Sequence, residues 1–175
     1  MNDVLALAAR GLLGGYLAVH GAQKLFGAFG GNGTEGTAKG FEHLGLTPAR
    51  EMAILAGSSE LAGGVLTATG IAEPLGPIAI AGAMTVATVV HRKGGPLSAN
   101  GGFELPLTNL ALAGVLLAAG HRGRHVKGSL PKPLTAAVIA GAAALTGISV
   151  SKVINAAKAK EQAAAPEATP EPTSA

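Results

Sequence analysis

The sequence predicts an all-α integral membrane protein, a four-helix transmembrane bundle followed by a fifth transmembrane helix. Three observations carry that expectation. Of 175 residues, 48% are hydrophobic and 13% charged, against about a quarter charged in a soluble domain. Five stretches approach the roughly 20 apolar residues that cross a hydrocarbon layer. Cysteine is absent, which excludes a disulfide scaffold, a Cys-ligated metal, an iron–sulfur cluster and thiol chemistry on this chain. The net charge is only +3, and the basic residues sit between apolar runs. They read as membrane-flanking charge, and no nucleic-acid partner is expected. A soluble helical bundle would need an outer polar face, yet Ile78 to Val90 offers only Thr85 and Thr88 as polar side chains.

The first span runs from about Val4 to Phe26 and is the least apolar, holding Arg10, His20, Gln23 and Lys24. Met1-Asn2-Asp3 lacks the positive start of a signal peptide, so this stretch is read as a retained helix. Gly27 to Arg50 is a long Gly-rich connection in which Thr37 to Leu44 suits a short surface helix and Gly45 a stop. Thr47 as N-cap, Pro48 at the first helical position and Glu51 in the first turn then open the second span, Met52 to Ile71. Ala72-Glu73 is a tight turn, so the third span, Pro74 to Val90, is an antiparallel neighbour of the second. The fourth span is Phe103 to Gly120 and the fifth Leu134 to Ile154. Between them His121 to Pro133 carries Arg122, Arg124, Lys127 and Lys132. The resulting organisation is 1–128 bundle, 129–155 basic loop and extra transmembrane helix, and 156–175 a disordered tail rich in Ala, Glu and Pro.

Small residues recur where helices would meet: Gly14 and Gly21 in the first span, Gly57 and Gly64 in the second, and Ala137, Gly141 and Ala144 in the fifth. Membrane helices associate by close backbone approach at such positions, because lipid supplies no hydrophobic drive between them. Gly31 to Gly36 matches the dinucleotide pattern G-x-G-x-x-G. That mechanism needs a strand before the motif and a helix after it. Here a membrane helix precedes it, and the segment reads as a flexible loop.

Ionisable residues inside spans are more informative, since each costs roughly 2.5–3.5 kcal/mol on insertion scales and usually faces a partner inside the bundle. Arg10, His20 and Lys24 fall within about an 80° arc of the first helix. Glu60 stands about 12 Å from the loop-facing end of the second span, and His20 about 9 Å from the same end of the first. His91 closes the third span and Glu104 opens the fourth on that side, joined by Asn100 and Asn109. The expected polar intramembrane cluster is therefore Arg10, His20, Lys24, Glu60, His91 and Glu104. It has two readings. One is a buried clasp between Glu60 and His20 or Lys24 that fixes helix register. The other is a polar pocket open to one leaflet, suited to a quinone head group or a proton path, because it offers hydrogen-bond donors to the two quinone carbonyls and a proton exchanger. No metal is expected, since the spans hold no His-x-x-His or Glu-x-x-His spacing.

Several of these residues sit in short motifs that resemble the DoxX family of small bacterial and archaeal membrane proteins. They are Arg10 with Gly21-Ala22-Gln23-Lys24-Leu25, Gly40-Phe41-Glu42-His43-Leu44-Gly45-Leu46, Glu60-Leu61-Ala62-Gly63-Gly64 with Thr69-Gly70, and Asn100-Gly101-Gly102-Phe103-Glu104-Leu105. The resemblance covers about residues 4–128 and implies a four-helix membrane bundle. It also implies a link to a thiosulfate:quinone oxidoreductase or to membrane-associated oxidoreductase complexes that handle oxidative and thiol stress. The fifth span and the tail depart from the family pattern, and without cysteine the chain itself performs no dithiol chemistry.

Two function classes follow. In one, the chain is a subunit of a quinone-linked or oxidative-stress redox complex; in the other, a non-catalytic membrane scaffold or anchor for soluble enzymes. No complete catalytic motif and no flavin, haem or nucleotide site is evident, so electron chemistry would need a soluble or membrane redox partner subunit, with quinone as the candidate cofactor. Self-association is a further expectation, as is a multi-pass location in the plasma membrane. The short segments on the first-loop side carry seven basic residues (Lys39, Arg50, Arg92, Lys93, Lys152, Lys158, Lys160), against four on the other side (Arg122, Arg124, Lys127, Lys132). The positive-inside rule then puts the C-terminus in the cytoplasm.

Overall fold

Glycines and prolines divide the chain into helices. A computed structural model describes residues 3–119 and 127–164. Among them are six α-helices: α1 (Asp3–Phe26), α2 (Gly33–His43), α3 (Ala49–Thr69), α4 (Leu75–Val90), α5 (Glu104–Ala119) and α6 (Lys132–Ala164). α1, α3, α4 and α5 form a closed four-helix bundle in which each helix packs on the next and α5 returns to α1. The core between α1, α4 and α5 is Leu13, Leu17, Ile80, Met84, Ala113 and Leu116. Outside it, large apolar side chains such as Leu12, Val65, Val115 and Ile148 stand exposed. In water such a belt would aggregate; facing lipid it is at home. α1, α4 with the turn after it, and α6 are each long and apolar enough to cross a bilayer. α5 is apolar but has 16 residues, and α3 carries Arg50, Glu51 and Glu60 within its 21. The chain is an all-α membrane protein.

Among the described residues α1 and α3 make the most extensive helix–helix contact, and glycine permits it. A Cβ on Gly14 would meet the Gly64 carbonyl and the Ala68 backbone, and one on Gly64 would meet Gly14 and Ala18. Gly21 lies equally close to Leu61 and the Gly57 carbonyl. No side chain larger than hydrogen fits at these crossings.

Two local expectations change along the α2–α3 segment. The segment Gly31 to Gly36, expected as a flexible loop, leads into α2 and forms its first turn. Thr34 and Thr37 donate from α2 to the carbonyls of Leu25 (3.0 Å) and Lys24 (3.4 Å), so α2 caps the end of α1. At its far end Gly45, at φ 78°, donates its N–H to the Glu42 carbonyl, and Leu46 donates to Phe41. This is the Schellman stop that glycine permits. The start of α3 is shifted by one residue: Pro48 occupies the N-cap position, and its carbonyl accepts from the Met52 N–H.

α6 lies outside the bundle and packs chiefly on α4. Its inner face is Val138, Ala142, Thr146, Ser149 and Val153, whereas Ala137, Gly141 and Ala144 are exposed, and a Cβ on Gly141 would meet nothing. The small stripe of this helix therefore does not make the α4 contact. α6 also stays helical to Ala164, through residues 156–164 that were expected to be disordered. Ala, Lys, Gln and Glu dominate that stretch and are strong helix formers. The rest of the expected tail, 165–175, and the basic residues Arg122 and Arg124 lie outside the described residues.

Candidate functional site

The antiparallel pairing of α1 with α3 sets Glu60 level with the turn of α1 that precedes Lys24, and the Lys24 side chain reaches back to it. The two side chains form an ion pair at 2.5 Å, with Glu60 buried and Lys24 part-exposed. A polar cavity of about 280 Å³ opens beside the pair, between α1, α3, α4 and α5. Lys24, Glu60, His20, His91, Ser98 and Asn109 bring its polar groups, and Leu17, Met84 and Leu105 are among its apolar walls. Four of the six expected cluster residues thus meet at one cavity.

Each has a definite setting. The His20 ring packs on Tyr16, one turn earlier on α1, with centroids 4.4 Å apart and planes at 54°. His91 sits where α4 gives way to a 3₁₀ turn, and its Nδ1 lies 2.9 Å from the Gly101 carbonyl. A carbonyl only accepts, so Nδ1 donates to it. Glu104, at the first turn of α5, accepts from the Ser98 hydroxyl at 2.5 Å. It acts on the cavity through Ser98 and does not line it. Asn100 sits in a short 3₁₀ turn and is likewise not a lining residue.

Arg10 does not belong to this cluster. Fourteen residues separate it from Lys24, about 21 Å along α1, so sharing a face does not mean sharing a depth. Arg10 is buried near the opposite end of the bundle and forms an ion pair with Glu73; it also donates to the Thr67 carbonyl at 3.4 Å. Glu73 is 1% exposed. Its N–H donates to Gly128 and its carbonyl accepts from Leu130, so the segment before α6 covers it. Glu73 is the charged residue that sequence reasoning missed, because it was read only as part of a turn. A signal was present. From Lys24 back to Arg10 is 14 residues, and from Glu60 on to Glu73 is 13. The two spacings nearly match, with Glu73 in the turn just beyond the end of α3.

Chemically, the cavity offers an ammonium, two imidazoles and an amide as donors, and a buried carboxylate that Lys24 neutralises. This suits a ligand with carbonyl or anionic oxygens and the exchange of protons with it. Among the described residues, no group of three or more His, Asp or Glu side chains is arranged to hold a metal ion.

Comparison with known proteins places this geometry in a family. The DoxX family model matches residues 5–92, which is half of the chain and spans α1 to α4. No curated protein and no solved structure matches. Lys24, Glu60, His20 and His91 all fall inside the matched stretch, while Asn109, Glu104 and α6 fall outside it. The chain belongs to the DoxX family.

Proposed function

We propose that this chain is a five-pass subunit of a quinone-linked redox complex in the plasma membrane, and that its polar cavity receives the quinone head group. The observation that carries this reading is the convergence of Lys24, His20, His91, Asn109 and Glu60 on one cavity within the bundle. A quinone carbonyl accepts hydrogen bonds, which Lys24 and Asn109 are suited to donate. Reduction to the quinol adds two electrons and two protons. In this reading the electrons come from a partner subunit, and His91, through Nε2, relays protons between the head group and the loop side. The Lys24–Glu60 pair keeps the site neutral overall, so that an uncharged head group enters without stranding a charge.

A second reading has its own support. The two ion pairs have matched spacing along α1 and α3–α4, as a pair of register clasps would, and this favours a scaffold that anchors soluble enzymes. Purification of the full chain in mild detergent separates the two. Quinone extracted near one equivalent per chain, and reduced on adding Glu60→Gln to the comparison, supports the first. Soluble enzymes recovered without quinone overturn it in favour of the second.

A further inference from the structure

A second cavity, about 370 Å³, runs between α3, α4 and α6. It is bordered by aliphatic side chains, among them Leu55, Ile78, Val86, Val138 and Leu145. Three hydroxyls, Ser59, Thr146 and Ser149, lie along it, and that of Ser149 is spent on the Leu145 carbonyl of its own helix at 2.9 Å. A groove of this kind holds hydrocarbon better than water. It follows α4 from Leu75 to His91, about 24 Å at the helical rise, against roughly 30 Å for the hydrocarbon core of a bilayer.

This groove shares a wall with the polar cavity. Lys24, Glu60, Ala87 and His91 line both, so the ion pair stands at the junction of an apolar channel and a polar end. α6 supplies one wall, and on the loop side it is tied down. Lys160 donates to the His43 carbonyl (2.9 Å), Lys152 to that of Thr47 (3.2 Å), and Lys93 pairs with Glu161 (2.6 Å). Because α6 packs chiefly on α4, the channel lies along the seam between α3 and α6.

We propose that this groove holds the hydrocarbon chain of the same amphiphile whose head occupies the polar cavity, and that α6 selects long-chain ligands entering sideways from the bilayer. The inference rests on the head-group reading above and adds a requirement to it: the ligand is a lipid, with its chain along α4. The shared junction argues for one molecule across both cavities, over an unrelated phospholipid chain in the groove alone. α6 lies outside the stretch matched by the family model. Since a hydrocarbon chain gains little on moving from lipid into an apolar groove, the head supplies the affinity, and the groove decides which chains fit.

The test compares two probes on the full chain in lipid nanodiscs: a dimethoxy-methyl-benzoquinone without a side chain, and the same head with a ten-carbon chain. Val138→Phe with Ala142→Leu fills the groove from the α6 side; Gly141→Leu adds similar bulk on the open face of the same helix. The filled variant is expected to lose about tenfold or more in affinity for the long-chain probe. It should keep the chainless probe, and Gly141→Leu should change neither. Equal loss of both probes, or no loss of either, overturns the inference and leaves the head-group reading standing. If the unsubstituted chain binds neither probe, the head-group reading has failed, and a long-chain alcohol bearing a photoreactive diazirine then judges the groove alone. Labelling of α6 that the filled variant abolishes supports a chain site; labelling that it leaves unchanged overturns one.

Discussion

At the scale of single residues, two ion pairs join α1 to the α3–α4 unit, and their surroundings differ. Arg10 and Glu73 are both buried and line neither cavity, the arrangement of a pair that fixes register. Removing one partner leaves an uncompensated buried charge. Glu73→Leu or Arg10→Leu alone should therefore cost about 3–5 kcal/mol, and the double substitution should recover most of it. Thermal unfolding of the four proteins in detergent checks this; additive losses would show that the two side chains are not coupled. The second pair, Lys24–Glu60, borders a cavity and keeps Lys24 partly accessible. This distinction was only half legible in the sequence. Depth arithmetic put Glu60 level with His20 and Lys24 roughly 6 Å shallower, but a helical wheel has no axial coordinate, and it grouped Arg10 with His20 and Lys24, about 15 and 21 Å away. Glu73 was obscured because a residue beside a turn is usually solvated, whereas the segment up to Leu130 folds over this one.

At the scale of elements, the α1–α3 register could be read from glycines alone. Gly14 meets Gly64, and Gly21 meets Gly57, at one constant antiparallel register. The same reasoning failed on α6, where small residues face outward and Val138, Ala142, Thr146 and Ser149 face α4. Small size permits close approach without requiring it, and α6 packs on a neighbour at ordinary distance. The contrast predicts opposite results for similar substitutions. Gly64→Val should cost about 1–3 kcal/mol or more by forcing α1 from α3, while Gly141→Leu should leave unfolding in detergent nearly unchanged. If Gly64→Val melts like the unsubstituted chain, the close crossing is not what holds these helices. The cap that α2 places on α1 was also invisible in sequence, because Thr34 and Thr37 bond to residues 9 and 13 positions earlier. Long-range capping leaves no local pattern.

At the scale of the whole molecule, hydropathy and turn chemistry made the bundle legible, since every long helix coincides with an apolar run bounded by Gly or Pro. The position of α6 follows from the same patterning, but its extension to Ala164 does not, because solvated Ala-Lys-Glu sequence reads equally as helix or coil. The extension carries Lys160 and Glu161 to the loop side, where they tie α6 to the end of α2 and to Lys93. With the seven-to-four excess of basic residues, this side is expected to face the cytoplasm. A reporter fused at Ala175 should be active only inside the cell, and external activity would reverse the orientation. The central claim is that the Lys24–Glu60 cavity binds a ligand and does more than clasp two helices. The most direct measurement sets stability against ligand retention in the double variant Lys24→Met with Glu60→Leu. Apolar replacement of a buried pair is often neutral or stabilising, so the variant should insert and melt within a few degrees of the unsubstituted chain in detergent. Its quinone content after purification should fall at least about tenfold, the loss of one good set of head-group contacts. A variant equally stable and equally loaded with quinone would contradict the account.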